Sequence, residues 1–322
     1  MTYRIAISII NFRTEALTLQ CVRSALDSLD GIDGQVVVVD NASEDGSAEA
    51  IAAWIDAQPT GTPVKLVSSE TNSGFSGGHN QGIRACDAEF YLLLNSDALL
   101  RPGFCANILA AAEARPKAGL FAPRIEHDDG DVQTSCFRFP GPASEMVRSA
   151  CTGFVTKALK RFEVALGPDP DPNQIEWASF ACILLRREVV QAVGMMDEGY
   201  FLYYEDAEYC LRARRAGWAI AYVPEAVAVH FRGGSGPVKT LVKAQKRLPA
   251  YYYSSRSRFL YQAHGWGGLM AANLAWYMGR LVAHMRRLTG RYPHPMAQNQ
   301  FRDIWINATR PLGPRYAPDD LS

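Results

Sequence analysis

The sequence has 322 residues, of which 48% are hydrophobic, and its 33 basic and 33 acidic side chains give a formal net charge of zero. This length and apolar content indicate a globular protein of one large domain, alone or with an appendage. The seven cysteines are scattered and form no C-x-x-C pair, which excludes that type of zinc or redox site and favours a reducing cytosol.

The first 125 residues alternate short apolar runs with helix-length periodic segments. This is the pattern of parallel strands joined by helical crossovers, so an α/β fold with a mostly parallel sheet flanked by helices is predicted. The first apolar run is too short for a signal peptide and lacks its cleavage site, which predicts a cytoplasmic protein. Strands are predicted at residues 4–10, 36–40, 64–68, 90–95 and 120–123, and helices near 16–29, 47–56, 77–85 and 104–114.

The rest of the chain divides into three stretches. Residues 126–174 are rich in Asp, Gly and Pro, and we expect an excursion with a mobile loop there. The second ordered block is predicted to hold strands at 181–185 and 220–224 and helices at 188–193 and 205–216. Beyond Gly236 the chain becomes basic and aromatic, with helices predicted across about 240–263 and 266–288. The predicted division is a domain of residues 1–236 and a helical extension of residues 237–322.

Polar residues follow two of the predicted strands, where ligands of open parallel sheets collect. Asp40 ends the strand at 36–40 and could accept hydrogen bonds from a ribose or a base, although a helix N-cap is an equally good interpretation. Asn95 and Asp97 follow the strand at 90–95 and offer two oxygen ligands with one residue between them. Mg²⁺ or Mn²⁺ binds through such groups together with substrate phosphates, whereas an Asp-containing turn is the alternative.

A third acidic group begins the predicted helix at 205–216. Glu205, Asp206 and Glu208 follow an aromatic segment that contains Tyr203 and Tyr204. Acidic residues are common at helix N-termini, but an aromatic surround would desolvate a carboxylate and raise its pKa toward that of a general base. The pattern therefore favours a catalytic carboxylate over a solvated helix face.

Two glycine-rich segments complete the candidate groups. TNSGFSGGHNQGI at 71–83 precedes a helical pattern and suits a loop that approaches a nucleotide closely; a glycine-rich turn with a capped helix is the alternative. HFRGGSG at 230–236 places His230 beside Arg232 and a glycine-rich turn, groups that suit a metal or a diphosphate.

Taken in this order, the segments resemble glycosyltransferase family 2, which has the GT-A fold, and especially its rhamnosyltransferase-like bacterial branch. The resemblance covers roughly the first 235 residues. The matching segments are ISIINFRTEA at 7–16, VVDNASEDGS at 38–47, NSGFSGGHNQGI at 72–83, LLLNSDALL at 92–100, VGMMDEGYFLYYEDAEYCLRARRAGW at 193–218 and VPEAVAVHFRGGS at 223–235.

The resemblance implies roles for individual residues. Asp206 would be the catalytic base, with Glu205 beside it, and Asp97 would bind Mg²⁺ or Mn²⁺ with the help of His230. Contacts to the nucleotide sugar would come from Asn11, Asp40, Asn72, Gly74, Asn80, Asn95 and Ser96. The sequence departs from the family pattern at Asn95, where the metal motif usually begins with Asp, and at Glu208, where the family often has Asp.

The implied reaction is a metal-dependent, inverting transfer of a sugar, with rhamnose favoured, from a dTDP- or UDP-sugar to a saccharide acceptor in cell-surface polysaccharide synthesis. One displacement inverts the anomeric carbon, so no Ser or Cys nucleophile is needed. Two alternatives remain open: a nucleotidyltransferase, and a non-catalytic protein that binds sugar nucleotides or polysaccharide. The absence of a triphosphate loop near Asn11 argues against the first, and the intact carboxylates argue against the second.

The charge of the chain is unevenly distributed, and this bears on the acceptor. No Asp or Glu lies between Glu225 and Asp303, whereas that stretch holds twelve Lys and Arg residues. Such a segment favours anionic lipid headgroups, and no nucleic-acid-binding motif accompanies it. Polar residues and glycines make residues 259–279 a poor membrane span, so we expect an interfacial helix that buries Leu269, Trp276 and Tyr277; a dimer helix or an intradomain helix is an equally good interpretation. An interfacial helix would imply a peripheral location on the inner face of the plasma membrane and a lipid-linked acceptor.

Overall fold

The computed structural model describes residues 2–231, 238–290 and 296–318. Its strands are β1 Tyr3–Asn11, β2 Gly34–Asp40, β3 Val64–Ser68, β4 Ala88–Asn95, β5 Ala98–Leu100, β6 Ala118–Glu126, β7 Cys136–Phe137, β8 Trp177–Ala178, β9 Cys182–Arg186 and β10 Ala219–His230. Its α-helices are α1 Glu15–Ser28, α2 Ser47–Asp56, α3 Gly74–Arg84, α4 Phe104–Ala114, α5 Pro142–Ala150, α6 Gly153–Ala158, α7 Arg187–Val193, α8 Glu205–Arg215, α9 Val238–Lys243, α10 Ala250–Met285 and α11 Gln300–Asp303.

Eight of the strands form one sheet in the order β3-β2-β1-β4-β9-β6-β10-β5. The pairs of β1 with β2 and β4, of β2 with β3 and of β6 with β10 are parallel, whereas β9 runs antiparallel to β4 and β6, and β5 antiparallel to β10. Helices cover both faces, which is why β2 is buried along its whole length. The predicted α/β architecture is confirmed.

The register of the central strands brings the candidate residues to one edge of the sheet. Asn11 at the end of β1 pairs with Asp40 at the end of β2, and Ile10 pairs with Asn95 at the end of β4. The parallel strands thus deliver their polar ends together, as the sequence predicted.

Three predicted elements differ from the structure. Residues 126–174 contain helices α5 and α6 in addition to loops. The helix predicted across 240–263 is interrupted before Pro249, which fixes its own φ and precedes α10, and α10 is itself kinked at Gly265 (φ +68°). The strand predicted to end at residue 224 continues to His230, because a register shift between Val223 and Val227 accommodates Pro224.

Helix α10 packs against α5 and α8. Helix α10 approaches α5 closely at Gly279, where an added Cβ would lie 2.0 Å from Ser149 Oγ and 2.5 Å from the Met146 carbonyl oxygen. The interfacial-helix prediction is wrong for two of its three apolar residues, because Leu269 and Trp276 are buried in the protein itself. None of the helices within the described residues combines the length and the hydropathy that crossing a membrane requires.

Candidate active site

A cavity of about 1350 Å³ lies at the edge where the central strands end. Its walls include the residues that follow β1, β2 and β4, the end of β10, and the beginnings of α8 and α10. Of the predicted site residues, Asn72, Gly74, Asn95, Ser96, Asp97, Glu205, Asp206 and His230 line it. The fold therefore gathers four separate motifs around one space.

Asn11 and Asp40 lie behind the cavity wall and organise it. Asn11 is fully buried, and its Nδ2 donates to Asp40 Oδ1 (2.7 Å), Ser43 Oγ (3.0 Å) and Ser47 Oγ (2.8 Å). Asp40 Oδ1 also accepts from Ser43 Oγ (2.6 Å), and Asp40 Oδ2 accepts from the Ser43 backbone N–H (3.1 Å). This network holds the turn after β2 in one shape, with Asn41 at the cavity surface.

The glycine-rich segment is joined to the aromatic segment before α8. The Asn72 side-chain oxygen accepts from the Asn41 Nδ2 and from the Gly74 N–H, both at 3.0 Å. Gly74 has φ +72°, and a Cβ there would lie 2.3 Å from the Phe201 carbonyl oxygen, which accepts from the Phe75 N–H at 2.8 Å. Glycine is therefore required by both the backbone conformation and the close approach.

Asn80 has a comparable positioning geometry on α3. Its side chain is fully buried, donates to the Met196 carbonyl (3.0 Å) and to Glu198 (2.9 Å), and accepts from the Met196 N–H (3.0 Å). Asn80 does not reach the cavity and instead secures the segment that leads to α8.

Asp97 and His230 face each other across the turn after β4. Asp97 is 1% exposed, and His230 Nε2 lies 3.2 Å from Asp97 Oδ1. The backbone pairing of His230 with Ala98 sets this distance, and the Phe231 N–H donates to the Asp97 carbonyl (2.9 Å). Arg232 and the glycines predicted to follow His230 lie outside the described residues. Asp97 and His230 together present an oxygen and a nitrogen ligand to the cavity.

Glu205 and Asp206 open α8 on the other side of the cavity. They follow Tyr203 and Tyr204, two consecutive residues with φ of +73° and +69°, a conformation that costs free energy and is common at functional sites. Burial raises the pKa of Asp206 to about 7. Burial, followed by the charge of Asp206, raises the pKa of Glu205 well above its usual range. Glu205 therefore remains protonated to a higher pH than Asp206. Asp206 is the member of the pair that gains or loses a proton near neutral pH.

Glu208 has a structural contact. It accepts from Arg212 Nε (2.6 Å) and Nη2 (3.0 Å), and the same guanidinium donates to the Val193 and Met195 carbonyl oxygens (2.5 and 3.0 Å). Glu208 thus fixes the entry to α8, and it does not line the cavity.

Several cavity residues were missed by the sequence-based prediction. Tyr251 and Tyr252 of α10 pack against Tyr203 and Tyr204, with ring centroids 5.6 to 6.4 Å apart. Arg148 of α5 lines the cavity beside them. The aromatic run at 251–253 was visible in the sequence, but nothing local linked it to residues about 50 positions earlier.

A sequence model described as glycosyl transferase family 2 matches residues 6–194 of the chain. An N-acetylglucosaminyl-diphospho-decaprenol L-rhamnosyltransferase of Mycobacterium tuberculosis is 28% identical over 257 residues, which are 75% of this chain and 78% of that protein. The rhamnosyltransferase WbbL of Escherichia coli K12 is 37% identical over 163 residues, covering 48% of this chain and 60% of that protein.

Among solved structures, the fold is similar to that of the mannosyltransferase PcManGT from Pyrobaculum calidifontis, which was determined in complex with GDP-Man and Mn²⁺. The TM-score is 0.55 at 16% identity, and the match covers 91% of this chain and 77% of that one. The similarity supports the GT-A fold.

Proposed function

The chain belongs to glycosyl transferase family 2, and from that premise we propose an inverting, metal-dependent transfer of a sugar from a nucleoside-diphosphate donor to a saccharide acceptor. The observation that carries this proposal is the cavity itself. It places the Asp97 and His230 ligand pair and the Glu205 and Asp206 carboxyl pair around one space. A donor with an anionic leaving group and an acceptor hydroxyl need these two kinds of group.

The donor occupies the side formed by the ends of β1, β2 and β4. Asn41, Asn72 and Gly74 line this wall and offer polar groups to a nucleoside, while Asn95 and Ser96 stand beside the Asp97 carboxylate. Asn11 and Asp40 do not contact the donor directly but hold the turn after β2 in place, and Asn80 holds the segment that leads to α8. A dTDP- or UDP-sugar is the expected donor.

The donor set at Asp97 fits Mg²⁺ or Mn²⁺ as a partial site. No group of three or more His, Cys, Asp or Glu side chains within the described ranges is arranged to hold an ion alone. One buried carboxylate and one imidazole 3.2 Å apart nevertheless match an ion that takes its remaining ligands from substrate phosphates and water. A cation held by Asp97 and His230 would offset the charge on the leaving nucleoside diphosphate.

Asp206 is the base of the proposed reaction. The acceptor hydroxyl oxygen forms the new bond to the anomeric carbon, the bond to the nucleoside diphosphate breaks on the opposite face, and the hydroxyl proton passes to Asp206. A pKa of about 7 leaves a substantial ionised fraction at neutral pH and makes the carboxylate more basic than an exposed Asp. Glu205 stays neutral beside it, so it does not add a second negative charge to the pair.

The relatives favour rhamnose as the transferred sugar and a lipid-linked saccharide as the acceptor. Two of these relatives are rhamnosyltransferases, and one of them is named for an acceptor sugar joined to decaprenol through a diphosphate. We carry both features over as proposals, and cell-surface polysaccharide synthesis is the process they fit.

A lipid-linked acceptor would be reached from a membrane surface, and α10 has a suitable face. Leu274, Met278, Leu281 and Met285 of α10 and Leu288, three residues after its end, recur at alternating spacings of four and three residues and are all more than half exposed. Beside the end of α10 stands α6, since Arg286 Nη1 donates to the Cys151 carbonyl at 3.0 Å. Phe154 of α6 is 84% exposed, and Lys157, Lys160 and Arg161 follow it at the surface.

This combination favours a lipid surface over a second copy of the chain. Helix α10 contains no Asp or Glu, and the neighbouring cations of α6 and the turn after it would attract anionic headgroups. Apolar side chains surrounded by cations would enter the interface without burying a carboxylate. The enzyme is thus proposed to act as a peripheral protein on the cytoplasmic face of the membrane.

The test of the proposed reaction is donor hydrolysis by purified protein with Mg²⁺ or Mn²⁺ and a panel of UDP-, GDP- and dTDP-sugars. We expect slow, metal-dependent release of a nucleoside diphosphate from one donor, and its loss in Asp97→Ala but not in Asp30→Ala, which removes an exposed carboxylate after α1. Pyrophosphate release from a nucleoside triphosphate would instead identify a nucleotidyltransferase. Silence across the panel without nucleotide binding by calorimetry would overturn the proposal.

A further inference from the structure

Two arginines share one buried carboxylate at the wall of the cavity. Glu145 Oε2 accepts from Arg148 Nη2 at 2.6 Å and from Arg256 Nη2 at 2.7 Å. Glu145 and Arg256 are buried, whereas the Arg148 side chain is 41% exposed and lines the cavity. Arg256 also donates to Asn273 Oδ1 (2.8 Å), so its guanidinium is engaged on the protein side.

The cluster carries an excess positive charge. Burial alone would raise the pKa of Glu145, but the charges of Arg148 and Arg256 lower it to about 2, so the carboxyl is ionised at ordinary pH. One negative and two positive charges leave a net charge of +1. Because Arg256 is enclosed, the excess charge is presented to the cavity by Arg148. A partly exposed guanidinium is a strong binding group for phosphate.

The position of Arg148 indicates which phosphate it would meet. Arg148 lies on α5, which packs against α10, and the cavity wall there also includes Tyr252 of α10 and Tyr204, which precedes α8. Arg148 is thus on the side of the cavity formed by α5, α8 and α10. Arg13 is the other arginine among the described cavity residues, and it stands on the donor side, where its Nε donates to the Ser43 carbonyl at 2.9 Å. Arg148 therefore lines the same cavity as Asp206, on the side away from the nucleoside-binding turn.

We infer that Arg148 binds the phosphate that joins the acceptor sugar to its lipid, and that the enzyme selects phosphate-linked acceptors through this contact. The inference rests on the proposed function, which supplies the acceptor side of the cavity. Arg148 is a binding residue here and takes no part in proton transfer. A neutral glycoside of the same sugar would leave the excess charge of the cluster uncompensated.

The test compares two acceptors in wild type and Arg148→Gln: N-acetylglucosamine linked to a short prenyl chain through a diphosphate, and the octyl glycoside of the same sugar. We expect Arg148→Gln to raise the KM for the diphosphate acceptor roughly 10- to 100-fold, as loss of a charge-assisted contact does, and to leave the octyl glycoside unaffected. Arg148→Lys keeps the charge but loses the planar guanidinium, so its KM for the diphosphate acceptor should lie between those of wild type and Arg148→Gln. Arg115→Gln, which removes an exposed arginine outside this cavity, should match wild type.

Other outcomes would overturn the inference. An equal rise in KM for both acceptors would assign Arg148 a structural role. A raised KM for the donor would show that Arg148 binds the donor diphosphate. No change with either acceptor would show that the phosphate is bound elsewhere. Calorimetric titration of the prenyl diphosphate probe is independent of turnover, so it tests Arg148 even if no donor is hydrolysed. Arg256 still neutralises Glu145 in Arg148→Gln, and the variant should therefore fold.

Discussion

Arg256 and Glu145 lie 111 positions apart in the chain, and their side chains meet in an ion pair of 2.7 Å with Arg256 completely buried. The pair joins the basic C-terminal segment to a helix that begins at Pro142. Both helices line the cavity, α5 with Arg148 and α10 with Tyr251 and Tyr252. Part of the excess positive charge of the C-terminal segment is therefore buried in an ion pair that holds α5 and α10 together, on the proposed acceptor side of the site.

Replacing Arg256 should destabilise the protein strongly. Arg256→Met keeps much of the side-chain volume but leaves Glu145 with Arg148 alone and Asn273 Oδ1 without its guanidinium donor, so we expect a loss of about 3 kcal/mol or more in the free energy of unfolding. Urea denaturation measures this. Arg84→Met, which removes an exposed ion pair with Glu198, should cost less than about 1 kcal/mol. Equal costs would show that the buried pair contributes no more than a surface one.

Gly74→Ala should cost more than its backbone conformation alone explains. Gly31 and Gly74 have almost the same φ (+70° and +72°), but an added Cβ at Gly31 meets nothing within 4 Å, whereas one at Gly74 meets the Phe201 carbonyl. We expect about 1–2 kcal/mol of destabilisation for Gly31→Ala and a larger value for Gly74→Ala. Transfer activity should fall only in Gly74→Ala, because the Phe201 segment leads to Glu205. Equal unfolding free energies, or unchanged activity, would contradict the proposed coupling.

The rate of transfer should depend on the ionisation of Asp206. Since the proton acceptor must be ionised and burial raises the pKa of Asp206 to about 7, kcat/KM for the acceptor should rise with pH and level off above about 7. Asp206→Asn should lose roughly 10²- to 10⁴-fold in kcat while still binding the donor. Glu205→Gln should retain most of the activity and the rising limb, because Gln resembles the protonated carboxyl. A pH-independent rate between 5 and 8 would remove Asp206 from this role.

The raised pKa of Asp206 also predicts how stability depends on pH, and here the trend is opposite to that of activity. In the unfolded chain Asp206 has the ordinary pKa of 3.8, whereas in the folded protein burial raises its pKa to about 7. The folded state therefore loses stability relative to the unfolded state as pH rises between those values, by about 1.4 kcal/mol for each unit of pKa difference at most. Asp206→Asn should flatten this part of the stability profile, which denaturation at pH 4 and pH 8 would show.

Much of the donor side of the site could be predicted from the sequence because its residues are local to strand ends. An apolar run such as VVVVD identifies both a buried strand and the carboxylate that follows it, and parallel strands bring such ends together. The positions of Asp97 and His230 at the cavity follow from this rule, because both stand at or just after the end of a strand, whereas Asp206 begins helix α8. Even so, Asn11 and Asp40 lie behind the wall, a distinction that depends on hydrogen bonds to Ser43 and not on residue type.

The acceptor side could not be predicted because it depends on contacts between distant segments. Helix α5 has a recognisable start, with Pro142 at its first turn and Ser144 accepting from the Gly141 N–H at 2.8 Å, but it is short and stands in a loop-like composition. The residues adjacent in sequence do not indicate that Arg148 reaches the cavity or that the Arg256 side chain is buried. Two like-charged arginines are brought together only because Glu145 lies between them.

The exposed face of α10 makes the last prediction, on membrane binding. Leu281→Glu with Met285→Glu should abolish sedimentation with anionic liposomes, because the substitutions place two carboxylates where the apolar face would enter the headgroup layer. Leu312→Glu changes an exposed leucine outside α10 and should bind as wild type does. Donor hydrolysis should be equal in all three proteins, since these residues do not line the cavity. A wild-type dimer that becomes a monomer in the double variant, without liposome binding in either, would assign the face to a second copy of the chain and rule out the membrane assignment.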